Sequence, residues 1–305
     1  MNKEQRNNII ETISKREKLR PMTRGKRLLI DPFRVLPYYL LAALGHIRPF
    51  PLTFKTLWGT KMTCYLPEGN TFYYYGYCEA NLANFLLRYL KEGSTFIDVG
   101  AHVGFYSMLT SKLVSEKGSV HSFEPTPWTF GLLRKNTSEL NNVSLNCKAV
   151  SDRVETISFA DYGPGYGAYN SGHPKGAAAF LNKKNNMIEV DTVVLDEYCR
   201  SLSLVPTFIK LDAEGCEHLI LRGMNSLLSG TDRPLVSIEV AGGKEWEENT
   251  KRTIQALLNK GYNVYEMSID GRISPHQIKD YYEYDNLLFI PTEKEIGLRN
   301  SFKAL

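Results

Sequence analysis

The chain has little that would staple it, anchor it or repeat along it. Its five cysteines, Cys64, Cys78, Cys147, Cys199 and Cys216, are odd in number and include no Cys-x-x-Cys pair. That argues against a disulfide framework or a zinc site and fits a reducing, cytoplasmic compartment. No apolar stretch follows a short basic segment at the N-terminus, so no secretory signal is expected. The apolar run in DPFRVLPYYLLAALGHIRPFP is interrupted by Pro37 and is too short to span a bilayer. There is no internal repeat, no Gly-x-x-x-x-Gly-Lys-Ser/Thr phosphate cradle and no RNA- or DNA-reading motif, so a nucleic-acid partner is not expected. A formal charge of +4 over 305 residues does not describe a general polyanion binder.

What charge there is lies unevenly. Residues 1–30 carry nine Lys or Arg against three Glu, a local net of +6. A basic arm beside an aromatic-aliphatic helix has two readings. It can lie on a membrane surface as a peripheral contact, or its apolar stripe can pack on the main domain and leave a solvated basic face. The second is the expectation here. Residues 1–70 are read as a basic extension of helix and short strands, 71–295 as the main domain and 296–305 as a tail.

From Thr95 onward strand and helix patterns alternate. TFIDV, SVHSF, VSLNCKAV, VETISFA, TFIKLD, PLVSIEV, YNVYEM and NLLFI read as strands, with helical spacing in most of the gaps. This predicts an α/β fold whose open, mostly parallel sheet carries helices on both faces. Ligands of such sheets sit at the carboxyl ends of the strands.

Those ends hold the chemistry. TFIDV runs into Gly-Ala-His-Val-Gly, placing Asp98, Gly100, Ala101, His102 and Gly104 at a turn that a ligand can approach closely. SVHSF ends in Glu124-Pro125, an acid suited to two ribose hydroxyls. The dinucleotide pattern Gly-x-Gly-x-x-Gly is broken, because His102 replaces its second glycine and Phe105 directly follows Gly104. A ligand with ribose and adenine but no phosphate fits better, and S-adenosyl-L-methionine is one. Ser151 and Asp152 end the third strand, able to meet the adenine edge or to cap a turn. Lys210, Asp212 and Glu214 crowd the end of TFIKLD, and Glu239 stands level with them one strand over.

The segments FIDVGAHVGFYS, HSFEPTP, KAVSD, FIKLDAEGCEHLILRG, SIEV and NLLFIP resemble the FkbM-type S-adenosylmethionine-dependent methyltransferases over about residues 72–291. The resemblance implies a Rossmann-like class I methyltransferase fold with a seven-stranded sheet. It sets Asp98, Gly100 and Gly104 on the methionine-end motif, Glu124 on the ribose acid, and Asp212 to Gly215 on the motif facing the methyl group. The chain departs from the family at His102, where Asn is common. The implied reaction is O-methylation of a sugar, glycan or secondary metabolite.

On that reading Asp212 is the expected base, with Glu214 and Glu239 as supports. Asp212 and Glu239 could also hold a divalent cation such as Mg²⁺. Tyr77 and Glu79, from the aromatic tract before the core, are expected at the methyl or acceptor pocket. Tyr166, Asn170 and Ser171, in the long loop 161–187, are expected on an acceptor-side lid. His218 is expected to face the cleft. The competing classes are an NAD-dependent oxidoreductase or epimerase on the same sheet and a non-enzymatic membrane-surface module. The first lacks both a pyrophosphate turn and a convincingly placed Tyr-x-x-x-Lys pair.

Overall fold

The structure, a computed structural model, describes residues 1–172, 185–240, 244–282 and 285–298, the side chains of 244–247 excepted. From the N-terminus come helices α1 (Lys3–Glu17), α2 (Arg24–Ile30) and α3 (Pro32–Ile47). A hairpin of β1 (Pro51–Lys55) and β2 (Lys61–Tyr65) and helices α4 (Asn70–Tyr75) and α5 (Ala80–Tyr89) follow. The alternating part begins with β3 (Thr95–Val99), α6 (Phe105–Val114), β4 (Ser119–Phe123), α7 (Pro127–Asn136), β5 (Val143–Asn146) and β6 (Ala149–Val150). It continues through β7 (Thr156–Asp161), β8 (Asn186–Val193), β9 (Phe208–Leu211), β10 (Leu235–Val240), β11 (Tyr262–Met267), β12 (Ile273–Pro275) and β13 (Asp285–Pro291). Helices Leu195–Ser201, Glu217–Arg222, Asn225–Ser229 and Lys244–Asn259 lie among the later strands.

The main sheet has the order β12-β11-β13-β10-β9-β3-β4-β5. Strands β5, β4, β3, β9 and β10 run parallel, and β13 enters antiparallel between β10 and β11. This is the Rossmann-like arrangement of the class I methyltransferase fold, with β12 added at one edge. The sheet is mixed, because the last strands return as antiparallel neighbours.

The central strands are apolar runs because both their faces are covered. Alternation sends Phe96, Val120, Phe208 and Leu235 into one cluster with residues of α1, α5 and α6. Ile97, Ile209, Leu211 and Val236 enter a second cluster with Leu195, Ile220 and Leu257 on the opposite face.

Two strand assignments change. VSLNCKAV is divided: β5 joins the main sheet, whereas β6 leaves it to pair with β8. VETISFA becomes β7, which pairs antiparallel with β8 outside the main sheet. The 161–187 segment is therefore the connection of a β-hairpin, and its residues 173–184 lie outside the described ones.

The extension shares the core. Ile9, Ile10 and Ile13 of α1 belong to the same apolar cluster as Phe96 and Leu109. Arg6 donates to the carbonyls of Leu87 and Leu90 at 3.2 and 2.6 Å and to that of Leu113 at 3.2 Å, satisfying groups that α5 and α6 leave open at their C-termini. Among the described residues, no helix is long and apolar enough to cross a membrane.

Candidate active site

The chain leaves β3 toward β4 on one side and returns to β9 on the other, so a crevice opens at the carboxyl ends of β3 and β9. Gly100 makes the turn there with φ +73°, and a Cβ on it would stand 1.9 Å from the Asp212 carbonyl oxygen. No side chain fits between the two strand ends. The amides of Gly100 and Ala101 donate to the Phe123 carbonyl at 3.1 and 2.9 Å, which ties the turn to β4. His102 follows in the left-handed region at φ +52°. Gly104, also left-handed, starts α6 against Leu133.

A cleft of about 1070 Å³ opens over this turn. Its lining includes Gly100, Ala101, His102, Glu124, Pro125 and Ser151, and with them Glu79, Asn170, Lys210, Asp212, Glu214 and Glu239. The Glu124 carboxylate accepts the His102 amide at 3.1 Å and the Thr126 amide at 3.0 Å, and the Thr126 hydroxyl donates to it as well. Burial raises its pKa against the pull of those donors.

Beneath the cleft a polar row crosses the sheet. Asp98 faces Ser122 on one neighbour and Lys210 on the other. Ser107 donates to Asp98 at 2.6 Å and bonds Ser122 at 2.8 Å. Asp98 is fully buried and lies under the cleft wall rather than on it, with the Lys210 ammonium 4.0 Å away. The direct contact with the ligand's amino-acid end expected of it does not fit this placement.

Lys210 donates to Asp212 at 2.7 Å. Burial opposes its charge, but Asp212 and Asp98 hold its pKa above the ordinary lysine value. Burial likewise works against an Asp212 anion, yet the Lys210 ammonium and a hydrogen bond from Glu239 bring the carboxyl below its usual range. Glu239 and Glu214 go the other way. Burial, then the Asp212 charge, pushes both well up. The result is one carboxyl whose anion is favoured beside two whose protonated forms are favoured, an arrangement with separable acid and base roles. Oxygen atoms of Asp212, Glu214 and Glu239 all lie within 4.8 Å of one another. Glu79 closes the group, accepting from Tyr106 at 2.8 Å and from Asn286.

Glu68 was not anticipated. It stands 2.7 Å from His102 and accepts the amides of Gly167 and Ala168 at 3.1 and 2.5 Å, so it joins the glycine turn to the 167–169 turn. Burial opposes charge on both partners. Glu68 nevertheless raises the His102 pKa, and His102 lowers that of Glu68. Glu17 and Arg20 of the extension also reach the cleft lining.

Several expected site residues are placed elsewhere. Tyr77 is fully buried off the cleft, donating to Glu17 under the Arg20 guanidinium, because the arginines of the extension stack on this aromatic tract. Asp152 turns to Arg222 at 2.8 Å and does not line the cleft, whereas Ser151 does. Gly104, Tyr166, Ser171 and His218 do not line the cleft. Ser171 donates to the Glu214 carbonyl at 3.2 Å and supports that turn from behind. Asn170 does line the cleft and donates to Thr126 at 3.2 Å.

The family model described as "Methyltransferase FkbM domain" matches residues 98–264. The chain is similar to hexuronic acid methyltransferase AglP of Haloferax volcanii, with 27% identity over 183 residues, 59% of this chain and 70% of that protein. Among solved structures it is similar to Aeropyrum pernix fibrillarin in complex with natively bound S-adenosyl-L-methionine, at 13% identity and a TM-score of 0.41 over 68% of this chain and 74% of that one. A putative rRNA methylase from Clostridium thermocellum matches at 12% identity and a TM-score of 0.43 over 70% of this chain and 94% of that one.

Proposed function

Because the chain belongs to the FkbM methyltransferase family, we propose that it transfers a methyl group from S-adenosyl-L-methionine to a hydroxyl of a sugar or glycan. The observation that carries this reading is the convergence, in one cleft, of the Gly100 turn, the Glu124 acid and the Lys210–Asp212–Glu239 group. The residues suit the donor. The bend at Gly100 admits close approach to backbone, and while Oε1 of Glu124 already accepts both Thr126 donors, Oε2 accepts from the His102 amide alone and keeps a site for a ribose hydroxyl. When bound, the donor supplies an electrophilic methyl on a sulfonium and leaves as a neutral thioether.

The protein's own part is alignment and proton removal. Holding donor and acceptor in line can supply about 7–11 kcal/mol. A hydroxyl attacks well only as it loses its proton, and a positioned base is worth roughly 10²–10⁴-fold. Asp212 takes that role: Lys210 favours its anion and orients it from 2.7 Å, and it lines the cleft. Glu239, whose protonated form is favoured, is placed to donate to Asp212 and tune it. A metal-free site is favoured, because the Lys210 ammonium already neutralises the carboxylate that a cation would need most.

A glycan acceptor is supported by similarity to a protein named for methylating hexuronic acid. It is also supported by the half-exposed aromatic rings of Tyr169 and Tyr281 on the cleft rim, which offer faces to a sugar. Arg20, ion-paired to Glu17 at 3.1 Å, also lines the cleft, where its guanidinium adds positive charge for a uronate carboxylate. A cytoplasmic setting is consistent with the five free thiols. The test is incubation with methyl-labelled S-adenosyl-L-methionine and uronic-acid-terminated glycans. Label in an alkali-stable methyl ether is the expected product, and label found only on nitrogen or carbon acceptors overturns the hydroxyl assignment.

A further inference from the structure

Helix α3 turns its most apolar face away from the protein. Phe33 and Ile47 are 90% and 81% exposed, and Leu36, Leu40 and Leu44 are exposed between them. At 3.6 residues per turn these five positions fall within an arc of about 100°, along roughly 21 Å of helix. The opposite side carries the contacts with the protein, through the buried Val35 and Gly45. Leu28, Leu29 and Ile30 at the end of α2 extend the exposed apolar surface, with Leu29 at 86%. This inverts the expected arrangement, in which the apolar stripe would have packed inward.

The surrounding charge decides what the stripe meets. Residues 18–48 hold Lys18, Arg20, Arg24, Lys26, Arg27, Arg34 and Arg48 against Asp31 alone. Of these, Lys18 and Arg20 before α2, Arg24 and Lys26 on it, and Arg48 just beyond α3 are exposed. A second copy of the chain would bring the same excess of positive charge against itself. An anionic lipid surface complements it and accepts the apolar face at the same time. The hydrocarbon core of a bilayer is about 30 Å thick, so a 16-residue helix, about 24 Å long, lies in the interface rather than crossing it.

We propose that α2 and α3 form a docking surface for an anionic lipid bilayer, with Phe33, Leu36, Leu40, Leu44 and Ile47 inserted among the acyl chains and Arg24, Lys26 and Arg48 at the headgroups. The inference is independent of the methyl-transfer reading, because none of these side chains lines the cleft.

The test is flotation of the full-length protein with phosphatidylcholine vesicles, with and without phosphatidylglycerol. Two variants are compared: Phe33→Gln/Leu40→Gln/Ile47→Gln and Lys26→Gln/Arg48→Gln. Binding to the anionic vesicles is expected for the parent. It should fall at least about tenfold in the apolar variant, and about fivefold per removed charge in the other at low salt. Unchanged melting temperature and S-adenosylhomocysteine binding show that the variants are folded. No flotation of the folded parent overturns the proposal. So does flotation that both variants retain, or concentration-dependent self-association abolished by the apolar variant in the absence of lipid binding.

Discussion

Gly100 and Asp212 touch across the crevice so closely that a Cβ on the glycine would stand 1.9 Å from the Asp212 carbonyl oxygen. The turn under the proposed donor and the backbone of the proposed base are thus one construction. Gly100→Ala should force them apart and also strain a left-handed residue. Both S-adenosylhomocysteine affinity and turnover should fall by at least about tenfold, measured by calorimetry and by methyl-label incorporation. Retention of both in a folded variant would separate the turn from the site.

Asp212→Asn keeps size and hydrogen bonding but removes the charge that Lys210 holds at 2.7 Å. Turnover should drop by roughly 10²–10⁴-fold, while affinity for S-adenosylhomocysteine changes little. A pH–rate profile of the parent should keep its activity down to unusually low pH, because Asp212 titrates below the ordinary carboxylate range. Undiminished turnover in the variant removes Asp212 as the base.

Glu124→Gln tests the sugar end of the donor. A hydrogen bond to a charged group is worth about 1.5–3 kcal/mol, so donor-product affinity should weaken by one to two orders of magnitude. Binding of equal strength would mean that the ribose is gripped elsewhere.

Glu217 is buried, accepts the Ala213 amide at 2.7 Å, and has a pKa raised by burial from 4.5 to about 7. Between those values the folded chain holds a proton that the unfolded chain has released. Stability must then fall as pH rises, by about 3 kcal/mol at most. Glu217→Gln keeps an acceptor for Ala213 and removes the titration. Urea unfolding at pH 5 and pH 8 should show that decline in the parent and a flatter profile in the variant.

The Glu68–His102 pair has its own pH signature. A histidine raised above 6.5 contributes stability that is fully present below that value and lost as pH rises through the higher, folded one. The Glu68 partner, lowered from 4.5, loses its contribution as pH falls through its folded value. Protection of residues 167–170 from limited proteolysis should therefore be greatest between about pH 4.5 and 6.5. His102→Asn should abolish the decline in protection above that interval.

Much of this site was legible because a parallel sheet announces itself. Apolar runs such as TFIDV and TFIKLD must be covered on both faces, and the polar residues that end them fall at the ligand edge. Gly100, Glu124, Asp212 and Glu239 were therefore expected at that edge, and all four line the cleft. Glu68 was not, since it follows the β1–β2 hairpin and reaches His102 only through tertiary packing. Tyr77 was misplaced for a related reason: its aromatic face serves Arg20, and nothing in the tract's composition says whether a ring meets substrate or a distant arginine. Strand β8 passed unnoticed because its residues are only partly buried outside the main sheet, which leaves a weak alternation. The apolar face of α3 was visible as a run of residues, but its outward direction depends on which side the buried Val35 and Gly45 occupy.

Calorimetric titration of the folded protein, separately with S-adenosylhomocysteine and with NAD⁺, tests the central claim most directly. Saturable heat with the adenosyl thioether and none with the dinucleotide is the predicted result. Heat with NAD⁺ alone, or with neither ligand, would contradict the account.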